Sequence, residues 1–208
     1  MFPTTLWDVV REAGGRDPAA LERFAAQYRA PVLEFVRGRG VRPDDAEDLC
    51  QDVFARLLSG DVLAKADPAR GSLRSLLCAV TVRVIQDRAR RRREPPPLEA
   101  EPAAPQPEFD RSWALHLAER ALARMREEEP RHFGVLDGHL HGVGQQKNRL
   151  SAARGRLASL LRREVALTCR SHRQFLDEMA ELTPYLRPAG KNRDTRGDAA
   201  NKPSEEPT

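Results

Sequence analysis

Acidic side chains recur along the segment PDDAEDLCQDVFARLLSG, from Pro43 to Gly60, at a spacing that gathers them on one side of a helix. A proline and two acids favour the first turn of a helix, and a glycine favours its end. At about 100° per residue, the apolar residues share one arc, with Phe54 at its edge. That arc consists of Ala46, Leu49, Cys50, Val53 and Leu57. We expect it to be buried and the opposite face, with Asp48, Gln51 and Asp52, to keep the helix in solvent or to bind a partner.

Arginine is the second chemical signal, because it is concentrated from Arg83 to Arg93 and again from Lys147 to Arg163. Two basic stretches in a chain of net charge +4 favour a polyanionic partner, most simply nucleic acid. Guanidinium groups along a helix neutralise phosphates and release counterions, which gives affinity without sequence recognition. The run from Arg88 to Arg93 has a simpler interpretation as the charged end of a helix before a linker.

The composition of the 208 residues, with 32% charged and only 5% aromatic, favours an all-α fold with a core of Leu, Val and Ala. Cys50, Cys78 and Cys169 are far apart, which argues against a disulfide framework and fits a reducing cytoplasm. No stretch approaches the roughly 18 apolar residues that cross a bilayer, so we expect a cytoplasmic protein without a membrane partner. The sequence shows no credible nucleophile and base, metal cluster or phosphate loop, so we expect no enzyme, metal or cofactor.

Apolar periodicity places further helices along the chain, and Pro31 is expected to kink or divide the second of them. The predicted spans are Thr4–Ala13, Asp17 to about Gly38, Ser72 to about Arg93, the Trp113 helix up to Glu129, Gln145–Ala166 and Ser171–Leu182. We expect residues 1–94 to form a first helical domain and 95–110 a proline-rich linker. Residues 111–187 then form a second helical unit and 188–208 a disordered tail.

The segment between Phe133 and Gln145, GVLDGHLHGVG, lacks a helical pattern. Its glycines and short length predict a loop, whereas a helix-turn-helix needs a positioning helix before its recognition helix. The second unit is therefore expected to resemble a truncated helix-turn-helix.

The order of these pieces resembles region two of bacterial RNA polymerase sigma factors, in the extracytoplasmic-function (ECF) group of the sigma-70 family. The resemblance covers roughly Pro18 to Arg93 and is most specific in the strings DAEDL at 45–49 and QDVF at 51–54. The linker and the basic helix from Gln145 resemble the linker and region four of that family. The resemblance implies a non-enzymatic factor that binds core RNA polymerase and directs promoter recognition and transcription initiation.

The same resemblance implies roles for particular residues. Asp48, Gln51 and Asp52 match the contacts of the family with the clamp helices of the largest polymerase subunit. The implied promoter DNA contacts are Arg74, Arg83, Asp87, Arg88, Arg90 and Arg91 on one helix, and Lys147, Arg149, Arg154 and Arg156 on another. The loop from Asp61 to Ser72 matches the place where the family captures a flipped base of the non-template strand. An anti-sigma factor is a further candidate partner.

A second hypothesis stays open at this point. A polymerase-binding modulator or competitor that has lost full promoter recognition would keep the first domain. The abbreviated segment before Gln145 is the observation that motivates it.

Overall fold

A computed structural model of the chain describes residues 17–59, 62, 71–92, 106–144 and 146–186. These residues form seven α-helices and no strand, which confirms the predicted all-α fold. The helices are α1 (Pro18–Gly38), α2 (Pro43–Ser59), α3 (Leu73–Arg92), α4 (Pro107–Glu128), α5 (Pro130–Leu140), α6 (Lys147–Ala166) and α7 (His172–Leu186). The predicted helix Thr4–Ala13, most of the loop 61–72, most of the linker and the tail 188–208 lie outside the described residues. Among the helices described, none is long and apolar enough to cross a membrane.

The first three helices begin and pack as their sequences indicate. Asp17 caps α1 by accepting a hydrogen bond from the backbone N–H of Ala19 at 3.0 Å. Ser72 caps α3 in the same way, through the backbone N–H of Ser75 at 3.2 Å. The predicted apolar arc of α2 is buried against α1 and α3, since its five members and Phe54 are at most 7% exposed.

Helix α1 runs through Pro31 without being divided. Because proline has no N–H, the carbonyl of Gln27, four residues earlier, lacks its usual partner within the helix. Burial lowers the pKa of His116 of α4, and the backbone of Gln27 partly offsets this shift, so the imidazole lies beside that carbonyl. A side chain of α4 is therefore placed to donate to the group that the proline of α1 leaves open.

Aromatic side chains hold α4 against α1. Tyr28 and Trp113 stack with ring centroids 5.3 Å apart, and Phe35 meets Phe109 edge to face at 5.2 Å. All four rings are at most 2% exposed, and they belong to the same core as α2 and α3. The helices that follow the linker thus share a core with the helices that precede it.

The predicted linker, 95–110, extends too far. Helix α4 begins at Pro107, with proline in its first turn and with Glu108 and Asp110 as first-turn acids. These helix-start signals stand directly after the proline-rich stretch. The linker prediction therefore fails for residues 107–110, which are helical.

The prediction of a loop between Phe133 and Gln145 is also wrong, because α5 occupies most of this segment. Pro130 supplies the first turn, and Phe133 and Leu136 pack against the core that α4 and α6 form around Met125. Tertiary packing outweighs the cost of the glycines, which is about 1 kcal/mol for each compared with alanine. Helix α5, the turn after it and helix α6 are therefore all present before α7, and the unit is not truncated.

The three cysteines are free and buried. Burial raises the pKa of Cys50 to about 11 and the pKa values of Cys78 and Cys169 to about 12. At neutral pH these thiols are protonated, and they fill space in the core.

A hydrogen bond from His116 to the carbonyl of Gln27 can be tested with a double-mutant cycle. We expect His116→Leu to lower the free energy of unfolding by about 1–3 kcal/mol, because a buried carbonyl loses its partner. In a Pro31→Ala background, the new backbone N–H at position 31 satisfies the same carbonyl, so His116→Leu should cost about 1 kcal/mol less. Urea denaturation of the four proteins measures both costs, and equal costs in the two backgrounds would contradict the assignment.

Candidate partner-binding and nucleic-acid interface

The outer face of α2 is open to solvent where the sequence analysis places it. Asp48, Gln51 and Asp52 are all exposed, and the side chains of the two acids are 66% and 58% exposed. Glu47, one residue earlier, is instead held by two arginines of α1. The acidic face available to a partner is therefore narrower than the acidic sequence, and it is centred on the three predicted residues.

Asp45 is a residue that the sequence analysis missed. It is only 8% exposed and accepts hydrogen bonds from Arg92, Arg42 and Arg88, the last at 2.8 Å. Hydrogen bonds from Arg92 and Arg42 hold the pKa of its carboxyl well below the usual range. Its position four residues before Leu49 places it on the buried arc, which was the available signal.

Arg88 joins this buried carboxylate to the exposed face. Its guanidinium lies 2.8 Å from Asp45, 3.7 Å from Asp48 and 3.6 Å from Asp52. The side chain is only 22% exposed. Arg88 was predicted to contact DNA, but in this conformation its charge is shared among three carboxylates of α2.

A basic groove runs between α2 and α3 beside this site. Arg56, Arg88, Arg91 and Arg92 line it, together with Asp52 and Asp87. The carboxylate of Asp87 pairs with Arg56 at 2.6 Å and with Arg90 at 3.4 Å, so it orients cations and does not face an anion alone. The acidic face and the basic groove therefore adjoin each other along one pair of helices.

Two arginines of α3 are the freest of the predicted DNA contacts on this helix. Arg83 and Arg91 are exposed and make no ion pair with the described residues. Arg90 is 71% exposed and, among the described residues, pairs only with Asp87 of its own helix. These three side chains can meet phosphates without breaking a contact to another helix.

Arg74, which was predicted to contact DNA, is enclosed in this conformation. It is 5% exposed and lies among carboxylates of α4 and α7. Its Nε and Nη2 atoms donate to Glu178 at 2.8 and 3.2 Å, and it also pairs with Asp110 and Glu181. In this conformation the carboxylates keep nucleic acid away from the guanidinium. The sequence pattern of α3 does not reveal this enclosure, because the partners lie more than thirty residues away in the chain.

The basic residues of α6 divide into two groups. Lys147 and Arg149 are exposed in the first turn and make no ion pair with the described residues. Arg154 lies 3.4 Å from His139 of α5, and Arg156 donates to Glu129 at 2.8 Å. The start of α6 therefore presents free positive charge beside the turn after α5.

The described residues contain no group of three or more His, Cys, Asp and Glu side chains that could hold a metal ion. Carboxylates face one side of the α2–α3 pair and guanidinium groups face the adjoining side.

Comparison with known proteins identifies one family. Residues 24–94 match the model of Sigma-70 region 2, the region of sigma factors that binds core RNA polymerase and melts the promoter. The match covers about a third of the chain and shows that residues 24–94 are similar to this region. Neither a curated protein nor a solved structure was found to match the chain.

The hydrogen bonds at Asp45 predict a specific pH dependence. Because its pKa is lower in the folded than in the unfolded protein, its contribution to stability is present above about pH 4 and is lost as the pH falls below that value. Asp45→Asn should therefore lower the denaturation midpoint at pH 7 and have a smaller effect at pH 2, since the contribution is lost progressively as the pH falls towards the pKa of the folded state. Urea titrations of both proteins at the two pH values measure this difference.

Asp44→Asn is the matched control, since Asp44 is exposed on the same turn and makes no ion pair with the described residues. It should shift neither midpoint appreciably. An equal loss for Asp45→Asn at pH 7 and pH 2 would contradict the charge-assisted contacts.

Proposed function

We propose that this protein is a sigma factor of the ECF group that binds core RNA polymerase and directs promoter recognition and transcription initiation. The observation that carries the proposal is that the exposed face of α2 holds Asp48, Gln51 and Asp52 inside the segment that matches Sigma-70 region 2. The protein acts in the cytoplasm, without catalytic activity of its own. An anti-sigma factor is a further partner that the resemblance implies.

The acidic face of α2 is the proposed contact for the clamp helices of the largest polymerase subunit. Its two carboxylates are exposed, and the buried arc on the other side of α2 fixes their direction. Asp45 and its arginines tie α2 to α3, so the face is presented on a rigid pair of helices. A preorganised acidic surface of this kind speeds association with a basic partner surface and disfavours binding of acidic partner surfaces.

Promoter DNA is the proposed ligand of the basic groove and of the exposed arginines on α3. Arg83, Arg90 and Arg91 have the exposure that phosphate contacts need. Lys147 and Arg149 at the start of α6 are the proposed contacts of the second unit, where a helix that follows a turn can enter a groove of the duplex. The two sets stand on different parts of the chain and would contact different stretches of DNA.

The modulator hypothesis loses the observation that motivated it. It rested on the lack of a helix before α6, and α5 occupies that place. Transcription from a promoter library separates the two roles, because a sigma factor starts transcripts with core polymerase whereas a competitor binds polymerase and starts none.

The acidic face can be tested by charge reversal. We expect Asp48→Arg and Asp52→Arg each to weaken binding to core polymerase about tenfold or more, because like charges at an interface are strongly unfavourable. Affinity measured with labelled core enzyme quantifies the loss, and circular dichroism confirms that the variants are folded.

Glu22→Arg is the matched control, since it reverses an exposed acid on α1, away from the proposed contact. It should bind polymerase as the unmodified protein does. Equal affinities for all four proteins would exclude the outer face of α2 as the polymerase contact.

The DNA contacts proposed for the exposed arginines of α3 can be tested through salt dependence. Arg83→Ala and Arg91→Ala should each weaken binding to a single-stranded oligonucleotide and reduce the slope of log K against log salt by about 0.7. Fluorescence anisotropy between low and moderate salt measures both quantities. Arg23→Ala, which removes an exposed arginine of α1, should leave the slope unchanged, and an unchanged slope for all three variants would rule out these contacts.

A further inference from the structure

The buried position of Arg74 needs an explanation that its predicted role does not give. Arg74 stands in the first turn of α3, yet it is covered by α4 and α7. Glu178 of α7 holds the guanidinium by two hydrogen bonds, and Glu178 is itself only 3% exposed. Asp110 and Glu181 complete the set, so one guanidinium faces three carboxylates.

This charge balance is unusual for a purely structural contact. One carboxylate would neutralise Arg74, and the two others add uncompensated negative charge. Burial raises the pKa of Asp110 although Arg74 lies beside it, so the ionised form of this third acid is disfavoured at this position. Glu181 pairs with Arg74 although its side chain is 61% exposed and could be fully hydrated.

The geometry around Arg74 is that of an occupied anion site. A guanidinium binds a carboxylate and a phosphate through the same pair of parallel N–H groups, so a bidentate glutamate takes the place that a phosphate could take. Arg74 and Arg88 are fourteen residues apart on α3, close to four turns, so they lie on the same side of the helix about 21 Å apart. A nucleic acid strand that leaves the basic groove along α3 would reach the position of Arg74.

Helix α7 also covers the chain just before α3. The side chain of Gln174 donates a hydrogen bond to the backbone oxygen of Gly71 at 3.2 Å. Helix α7 thus contacts α3 and the residue before it through long polar side chains, whereas Leu182 is buried in the core and Phe175, Met179, Tyr185 and Leu186 pack against that core. Long polar contacts of this kind can be exchanged for hydration when α7 moves away.

A second seam between the two halves is also incompletely satisfied. The ring nitrogens Nε1 of Trp113 and Nε2 of His116 are buried without a hydrogen-bond partner among the described residues. Both belong to the face of α4 that packs on α1. Release of α4 would hydrate both groups, which lowers the cost of separating the halves.

We propose that Glu178, Glu181 and Asp110 compete intramolecularly with nucleic acid for Arg74, so that the conformation described here is a closed form that binds DNA weakly. The proposal rests on the proposed function, because it assumes that α3 binds nucleic acid. The carboxylates of α4 and α7 act as stand-ins for phosphate. Movement of α7 alone would remove Glu178 and Glu181 and expose Arg74 together with the residues just before α3.

Neutral variants of α7 test the competition directly. The double variant Glu178→Gln/Glu181→Gln keeps the shape of both side chains and removes their charge. It should bind a labelled single-stranded oligonucleotide about fivefold more tightly or better, the range expected for coupling between two sites, and the salt slope should rise by about 0.7 for the added phosphate contact. Adding Arg74→Gln to the double variant should abolish the gain in affinity and in slope.

A reversible lock tests the closed form without changing these charges. Cysteines introduced by Gly71→Cys and Gln174→Cys can be joined by a short thiol-specific cross-linker that a reductant cleaves. A Cβ at Gly71 would lie 3.8 Å from the Cβ of Ser75, an ordinary contact, and the native thiols are buried and protonated at neutral pH. The cross-linked protein should bind the oligonucleotide more weakly than the same protein after reduction, and Gln174→Cys alone should respond to neither reagent.

The outcomes separate this proposal from the one on which it rests. If Arg83→Ala and Arg91→Ala weaken DNA binding but the glutamine variants and the lock change nothing, the competition is refuted and the groove stands. A gain that persists with Arg74→Gln likewise refutes it. If the unmodified protein and all variants fail to bind the oligonucleotide even at low salt, both proposals fall. A loss of thermal stability in the glutamine variants without a gain in affinity identifies the cluster as structural and overturns the inference.

Discussion

The contact between α1 and α4 is the constraint on which the arrangement of the remaining helices depends. Tyr28 stacks on Trp113 and Phe35 meets Phe109 edge to face, and each such pair contributes about 0.5–1.5 kcal/mol beyond its buried area. Pro31 would weaken an isolated α1, but the carbonyl that it leaves open lies beside His116 of α4. A local defect in one helix therefore faces a side chain of the other that can compensate for it. Since α6 and α7 pack on α4, their positions follow from this one interface.

Burial and partners, more than residue type, decide what each arginine of α3 can do. Arg74 is enclosed by three carboxylates, Arg88 is shared among three acids of α2 at the edge of a groove, and Arg83 is exposed without an ion pair among the described residues. Only the last can add a phosphate contact at no cost in existing contacts. Arg88 gains freedom when a partner takes over Asp48 and Asp52, because its remaining carboxylate is then Asp45 alone. The proposed polymerase face and the proposed DNA groove are thus electrostatically coupled through one side chain.

Helical periodicity was sufficient to predict the buried arc of α2, the starts of α1 and α3 and the exposure of Asp48, Gln51 and Asp52. These features depend on neighbours within one or two turns, and local sequence contains that information. It was not sufficient for α5, whose glycines favour a loop until packing against α4 and α6 outweighs them. The enclosure of Arg74 and of Asp45 was missed for a related reason. Their partners lie 36 to 107 and up to 47 residues away, and a projection of one helix cannot show that a charge will be enclosed.

Two buried ionic clusters flank α4, and their contrast indicates what each is for. Glu164 of α6, only 1% exposed, is held by Arg120 and Arg124 of α4, and Arg124 also pairs with Glu128, so the charges of this cluster balance within one unit. The Arg74 cluster joins the two units, with carboxylates in excess. Burying an ion pair adds little net stability, since desolvation offsets most of the attraction, but a mismatched arrangement would leave a charge unpaired at a cost of about 3–5 kcal/mol. Each cluster therefore contributes more to the specificity of helix docking than to its net free energy. For the Arg74 cluster, that combination of exact docking and modest strength is what a separable interface requires.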